Sequence, residues 1–536
     1  MSWLLLVALA VPAAAAAALL VRASRAPDAG SDAGPNTLVR AAPLALVPVV
    51  VVDLLGPVGG LVLRLDLVGR PLLLFAGVLY AAALALTARS AEARTASRSG
   101  LLLVAFVGTA TVLVAADAVT FLAGCVVTTV AAHRLILHPR TATARRAGRL
   151  YLALAAASDA VLAVAVVLVV AAGGLRLADA PAAVAAAPAG GVIVGLLLLG
   201  FGIKAATFPL HGWLPIDEAA ASVPVGAVLS GTVVKVGLVG WLRFLPLGHE
   251  AMPGWGTVLV VAALVGAFGV LVPGVLTDDP EVSLAYSTVG QMGFLAMVVG
   301  VALGAPDLAE ACMLTAVVYA VHHGMAKGGL IMAVEVWERY GAGRARAVVL
   351  VGALVLGLAI TGAPLGSGAV AKYAAKRAVG DAPFLVDVTA VLPLVATVST
   401  LLLVRALVLL RASGHAGSSA PDGGLWSWVV LAVGGTIGTW VLAGLWLPPE
   451  KVPDLDGVTV WAAAWPILLG LAVAGLVIAA ARTGVLPAWT RTLRVPAGDL
   501  LDAVARRVDR GVDRRADHAA DARTRRDGGT IGRSTR

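Results

Sequence analysis

Apolar residues in this chain come in long blocks separated by short polar connections. Blocks of roughly 18–25 residues have the length an α-helix needs to cross a bilayer. They predict helices near 3–22, 38–56, 71–88, 100–115, 117–137, 149–173 and 190–208. Further helices are predicted near 222–245, 256–276, 283–305, 309–334, 346–375, 386–411, 425–447 and 458–482. The expected fold class is an all-α polytopic membrane protein with about 14–15 transmembrane helices. Two blocks carry interruptions. Pro209 lies just after Lys204, and Gly362-Ala363-Pro364-Leu365-Gly366 lies just before Lys372. Proline removes a backbone donor and disfavours helix in the residue before it, so broken helices are expected at both places.

Composition supports the membrane reading. Hydrophobic residues make up 60% of the chain and charged residues 13%, where a soluble domain carries about a quarter charged. Mean hydropathy is +0.94. The first block lacks a basic leader and a clear cleavage site, so it reads as a retained helix and not a signal peptide. The net charge of +9 sits mainly in loops and the C-terminal tail, where it sets topology and does not imply nucleic-acid binding. Arg134, Arg140, Arg145, Arg146 and Arg149 crowd one loop, which is expected to be cytoplasmic. Alternation then places the N-terminus outside and the C-terminus inside a cell (inner) membrane. Cys125 and Cys312 lie in apolar blocks without metal-ligand spacing, so neither a disulfide framework nor a zinc site is expected. In the polar tail, Leu501, Val504, Val508 and Val512 recur at helical spacing. They predict a short amphipathic helix on the membrane surface or on a partner, and from roughly 522 onward a disordered end.

The basic residues divide unevenly. Of 40 lysines and arginines only six are lysine, and Lys204, Lys235, Lys327 and Lys372 lie inside apolar blocks. Arginine stays charged in proteins, whereas a buried lysine can release its proton. An ionisable group at membrane depth is costly and marks a functional site by default.

Residues 200–244 carry a long motif: Lys204, then Pro209-Leu210-His211-Gly212-Trp213-Leu214-Pro215, then Pro224-Val225-Gly226-Ala227-Val228-Leu229, then Lys235-Val236-Gly237. Three further stretches accompany it: Leu284-Ala285-Tyr286-Ser287-Thr288-Val289-Gly290-Gln291-Met292-Gly293, His323-Gly324-Met325-Ala326-Lys327, and Gly362-Ala363-Pro364 through Lys372. Together these resemble the antiporter-like membrane subunits of respiratory complex I (the NADH-quinone oxidoreductase), Mrp antiporters and membrane-bound hydrogenases. The likeness spans about residues 60–412 and is nearest to the subunit-5 branch, which includes DabB-like subunits.

That resemblance implies two inverted five-helix repeats, with broken helices at the seventh and twelfth spans. It implies N-terminal helices over 1–99, a translocating core over 100–412, C-terminal helices over 413–482 and a basic cytoplasmic tail over 483–536. Lys204, Lys235, Lys327, Lys372 and His323 would form a proton relay, with His322 a weaker member; His211 would order the loop after the first break. The function implied is proton (or other cation, such as sodium) translocation as one subunit of a multi-subunit complex. Partners would be other membrane subunits, a redox or other soluble subunit, and the lipid bilayer, with no nucleic acid. No motif for a flavin, quinone head, iron–sulfur cluster or nucleotide is present, so no cofactor is expected and any redox chemistry belongs to another subunit. The alternatives are a DabB-like membrane subunit of an inorganic carbon uptake system, or a structural subunit that no longer pumps.

The chain departs from the family pattern in three places. The glutamate usually found on the fifth span is replaced by Val126, and Asp159 on the sixth span is the expected substitute partner of Lys204. The loop Asp278-Asp279-Pro280-Glu281 is acidic where a basic residue is usual, which points to a different partner surface. Ala371 stands where the family has a serine before Lys372.

Overall fold

A computed structural model describes residues 2–25, 37–54, 58–60, 62–90, 94–380, 382, 387–414, 416–485 and 493–498. The amphipathic helix expected around 501–512 and the expected disordered end lie outside the described residues.

The chain starts with α1 (Ser2–Arg25). The next apolar block was expected as one helix. It folds as α2 (Thr37–Ala41), a 3-10 turn (Ala42–Leu46) and α3 (Val47–Leu54). Pro43 and Pro48 explain the division, since each removes an N–H from the helical ladder. A two-residue antiparallel pair, β1 (Val58–Gly59) and β2 (Arg64–Leu65), leads into α4 (Gly69–Thr87). Then come α5 (Thr95–Val114), α6 (Ala118–Ile136), α7 (Ala142–Ala171) and the short α8 (Ala180–Ala186).

The first broken helix follows. α9 (Gly190–Lys204) stops at the lysine, and α10 (Trp213–Glu218) resumes beyond Pro209. α11 (Val223–Val228), a π-helical turn (Leu229–Val233) and α12 (Val234–Phe244) run on as one span. α13 (Pro253–Gly269), α14 (Leu271–Leu276), α15 (Pro280–Gly304) and α16 (Ala309–Tyr340) lead to the second break. There α17 (Arg346–Thr361) ends at Gly362, whose φ of 86° is left-handed, and α18 (Ser367–Ala378) restarts the helix. α19 (Val388–Val391), α20 (Leu394–Ala412), α21 (Gly423–Trp446) and α22 (Gly457–Thr483) complete the described fold.

Among the described residues, twelve helices are long and apolar enough to cross a membrane. Each of the remaining expected blocks also has a helical counterpart: the α2–α3 segment, α9 and α16. The chain is a multi-pass all-α membrane protein. Burial shows which helices lie inside. The span Val223–Phe244 is 100% buried within the protein and Pro280–Gly304 is 94% buried, whereas Gly457–Thr483 is only 22% buried. α1, α21 and α22 therefore turn leucines, valines and tryptophans outward, and α11–α12, α15 and α16 form the interior.

Two glycines set the spacing at the centre. A Cβ on Gly231 would lie 3.2 Å from the carbonyl oxygen of Gly324, and one on Gly324 would lie 2.8 Å from that of Gly231. Their reciprocal approach brings the π-helical turn directly against α16, as small residues do in membrane helix pairs.

The few carboxylates away from the centre have local duties. Asp117, Asp279, Asp387, Asp422 and Asp456 each cap the N-terminus of a helix, accepting backbone N–H bonds. Asp278 pairs with Arg405 at 3.5 Å and with Arg494. The acidic loop expected to face a partner is thus partly engaged within the chain. Asp66, in the turn before α4, receives both arms of Arg243 at 2.7 and 3.0 Å. Burial alone raises its pKa, but the charge and hydrogen bonds of Arg243 and the N–H groups of Gly69 and Val68 hold it below the usual carboxylate range.

Candidate functional site

The ionisable residues picked out in the sequence converge on the fold's interior. Lys204 is the last residue of α9, where the helix breaks. Its ammonium lies 2.6 Å from Asp159 Oδ1 on α7 and donates to Thr129 Oγ1 on α6 at 3.1 Å. The lysine side chain is 8% exposed and the aspartate 15%, so the pair is desolvated and neither charge sits alone. A cavity of about 20 Å³ opens beside it, lined by Thr128, Thr129, Tyr151, Lys204 and Trp213 among others. That volume admits one water molecule among polar partners.

Val126 does not face this site. It is 42% exposed on the outer side of α6. The face of α6 turned to Lys204 carries Thr129, with Cys125 within reach of both charges of the pair. The hydroxyl of Thr129 is what this helix presents to Lys204.

Lys235 and His323 meet at the centre. Lys235 Nζ is 2.7 Å from His323 Nδ1 and also donates to the Ser230 carbonyl at 2.8 Å. Ser230 belongs to the π-helical turn, a local widening that often accompanies functional sites. The Lys235–His323 bond has two forms. A charged lysine donates to a neutral imidazole, or a neutral amine accepts from a protonated ring. His323 Nε2 is buried without a hydrogen-bond partner.

Lys327 lies one helical turn further along α16 and donates to the Leu284 carbonyl of α15 at 3.3 Å. His322, beside His323, pairs through Nδ1 with Ser367 Oγ at 2.8 Å, at the start of α18. Its ring packs edge-on against Tyr319, with centroids 5.6 Å apart. Tyr319 hydrogen-bonds Gln291, which donates to Ser399 at 2.8 Å.

Lys372 reaches back across the second break. Its ammonium donates to the carbonyls of Ile360 and Thr361, both at 2.9 Å. These carbonyls belong to the last turn of α17, where the helix dipole is negative and a cation is favoured. A cavity of about 100 Å³ adjoins Lys372, lined by Thr361, Leu365, Tyr373, Lys376 and Trp440 among others. The ring of His211 stacks on Phe208 and meets Tyr286 edge-on, bracing the connection after the first break.

Both breaks hold a non-glycine residue in the left-handed region, Ala206 at φ 51° and Leu365 at φ 67°. This conformation costs about 1–2 kcal/mol, and such strain clusters at functional sites. Sequence reasoning missed Thr129, Ser230 and Glu218, since hydroxyls and a loop carboxylate give no signal until helices are packed.

Residues 115–374 match the family described as NADH:quinone oxidoreductase/Mrp antiporter, transmembrane. This segment belongs to the antiporter-like membrane subunit family. Formate hydrogenlyase subunit 3 of Escherichia coli (strain K12) is 34% identical over 160 residues, 29% of this chain and 26% of that protein. Hydrogenase-4 component B of the same organism is 36% identical over 148 residues, 26% of this chain and 22% of that protein. These matches thus span about a quarter of each relative. The structure of the Mrp complex from Dietzia sp. DQ12-45-1b superposes with a TM-score of 0.72 at 22% identity, covering 99% of this chain and 60% of that one. The likeness in fold to that structure thus reaches beyond the matched segment.

Proposed function

We propose that the chain is a proton-conducting subunit of a multi-subunit membrane complex of the complex I, hydrogenase or Mrp type. Protons pass between Lys204 with its partner Asp159, the Lys235–His323 pair, Lys327 and Lys372, with His322 adjoining the last step. The observation that carries this reading is the 2.7 Å contact between Lys235 and His323, two proton-exchanging side chains on different helices in a fully buried setting. Burying both is costly unless they share charge with neighbours.

Each end of the relay adjoins a helix break. Unwound backbone and half-helix ends stabilise charge in transporters generally. The region from 100 to 412 forms the conducting core, the flanking helices are support, and the basic tail lies on the cytoplasmic side, with the N-terminus outside. Redox or other driving chemistry belongs to partner subunits. Retention of a paired Lys204 favours conduction over a purely structural role. The hydrogenase-type relatives and the Mrp-like fold favour it over inorganic carbon uptake.

The test is potential-driven proton uptake into liposomes containing the complex purified through this chain. Lys235→Ala and His323→Ala are each expected to lower uptake about a hundredfold while the complex still assembles. Wild-type uptake in both variants would contradict the reading.

A further inference from the structure

Glu218 is the last residue of α10 and is fully buried. It lies at the far end of the first broken helix, outside the set of residues that the sequence motifs single out. Its Oε1 accepts a hydrogen bond from the hydroxyl of Ser230. That hydroxyl also accepts from Thr288 Oγ1 at 3.0 Å. The carbonyl of the same Ser230 receives Lys235 Nζ at 2.8 Å. The second oxygen, Oε2, is buried with no hydrogen-bond partner. The charged groups facing the carboxylate are Lys327 of α16, Lys235 of α12, and Asp279 and Glu281 at the start of α15, and Asp217 is its chain neighbour.

The charge balance of the interior gives this placement its meaning. Lys204 has its own carboxylate in Asp159. Lys235 and Lys327 are both buried, and Lys235 meets the same Ser230 that holds Glu218. A lone buried ammonium is unfavourable, as is a lone buried carboxylate.

We propose that Glu218 is a proton-carrying partner of Lys327 and Lys235, the second acid–lysine unit of the relay. A proton moving from either ammonium to Glu218 Oε2 leaves a neutral amine and a neutral carboxylic acid. One N–H bond breaks, one O–H bond forms and the net charge of the unit does not change. The lysine and the glutamate that exchange the proton thus alternate between an ion pair and a neutral pair. Ser230 orients the carboxylate, its hydroxyl meeting Glu218 and its carbonyl meeting Lys235 from the π-helical turn. This inference rests on the relay reading above.

The test uses the intact complex in liposomes, with potential-driven proton uptake measured for Glu218→Gln, Glu218→Asp and Lys327→Ala. Glu218→Gln is expected to lower uptake about a hundredfold with assembly unchanged, and Glu218→Asp to recover part of it. Infrared difference spectra recorded as the potential is applied are expected to show a buried protonated-carboxyl band that shifts in Glu218→Asp. If Lys327→Ala stops uptake and Glu218→Gln does not alter it, Glu218 carries no proton, while the relay reading stands. If neither variant alters uptake, the relay reading falls and this inference with it. Should the glutamine variant fail to assemble, absence of a carboxyl band that shifts in Glu218→Asp overturns the proposal on its own.

Discussion

The Lys204 ammonium and the Asp159 carboxylate meet at 2.6 Å across the α9–α7 boundary, next to a broken helix end. The aspartate comes from the neighbouring helix of the one that carries the acid in the family pattern. Removing one partner from such a desolvated pair leaves the other charge uncompensated, at a cost of about 3–5 kcal/mol. Asp159→Asn is therefore expected to lower the unfolding temperature of the detergent-solubilised complex and to impair proton uptake. Adding Lys204→Gln is expected to restore stability but not uptake. A double-mutant cycle on unfolding and on flux separates these two contributions.

Lys372 tests whether a fixed charge suffices at the second break. Its ammonium is held by the carbonyls of Ile360 and Thr361. Arginine keeps the charge and can donate to the same carbonyls, but it does not release a proton. Lys372→Arg is expected to assemble normally and to lose about a hundredfold in uptake. Comparison of subunit stoichiometry with flux in the same preparation checks both halves.

The approach of Gly231 to Gly324 holds the Lys235–His323 contact in register. A Cβ at Gly231 would come 2.3 Å from the Leu79 side chain and 3.2 Å from the Gly324 carbonyl. Gly231→Ala is expected to cost about 1–3 kcal/mol through overpacking and to reduce uptake as α16 moves away. Gly434, whose Cβ would meet nothing within 4 Å, supplies the control, and Gly434→Ala is expected to leave both properties unchanged.

The Asp66–Arg243 clasp gives a pH signature away from the relay. Asp66 titrates below its ordinary value of 3.8 in the folded chain. Its contribution to stability is thus fully present above that value and is lost as pH falls through the lower, folded-state pKa. Asp66→Asn is expected to lose about 2 kcal/mol at neutral pH. Unfolding curves of the two proteins are expected to converge only below the ordinary carboxylate range.

Much of the fold was readable in the sequence because lipid imposes a simple rule: a crossing helix must be long and apolar. The breaks at Pro209 and at Gly362 to Gly366 were readable for the same local reason, since proline and glycine interrupt the ladder regardless of context. The site was readable where burial contradicts chemistry, as with Lys204, Lys327 and Asp159 in apolar blocks. Helix rotation was not readable. The apolar character of α6 hides which side faces inward, so the hydroxyl that Thr129 turns to Lys204 gives no signal in the sequence. Glu218 was hidden differently. It sits in a polar-looking stretch, Leu214-Pro215-Ile216-Asp217-Glu218, and becomes an interior residue only when α10 folds back against Ser230. The division at Pro43 and Pro48 is a local signal set within a continuous apolar block.

The central claim is that one connected set of buried groups carries protons from the first helix break to the second. Its most direct test measures potential-driven proton uptake by the reconstituted complex bearing Lys204→Ala or Lys372→Ala, with partner subunits quantified in the same liposomes. The relay predicts that each variant alone stops uptake with the complex intact. Uptake at the wild-type rate in both variants would contradict it.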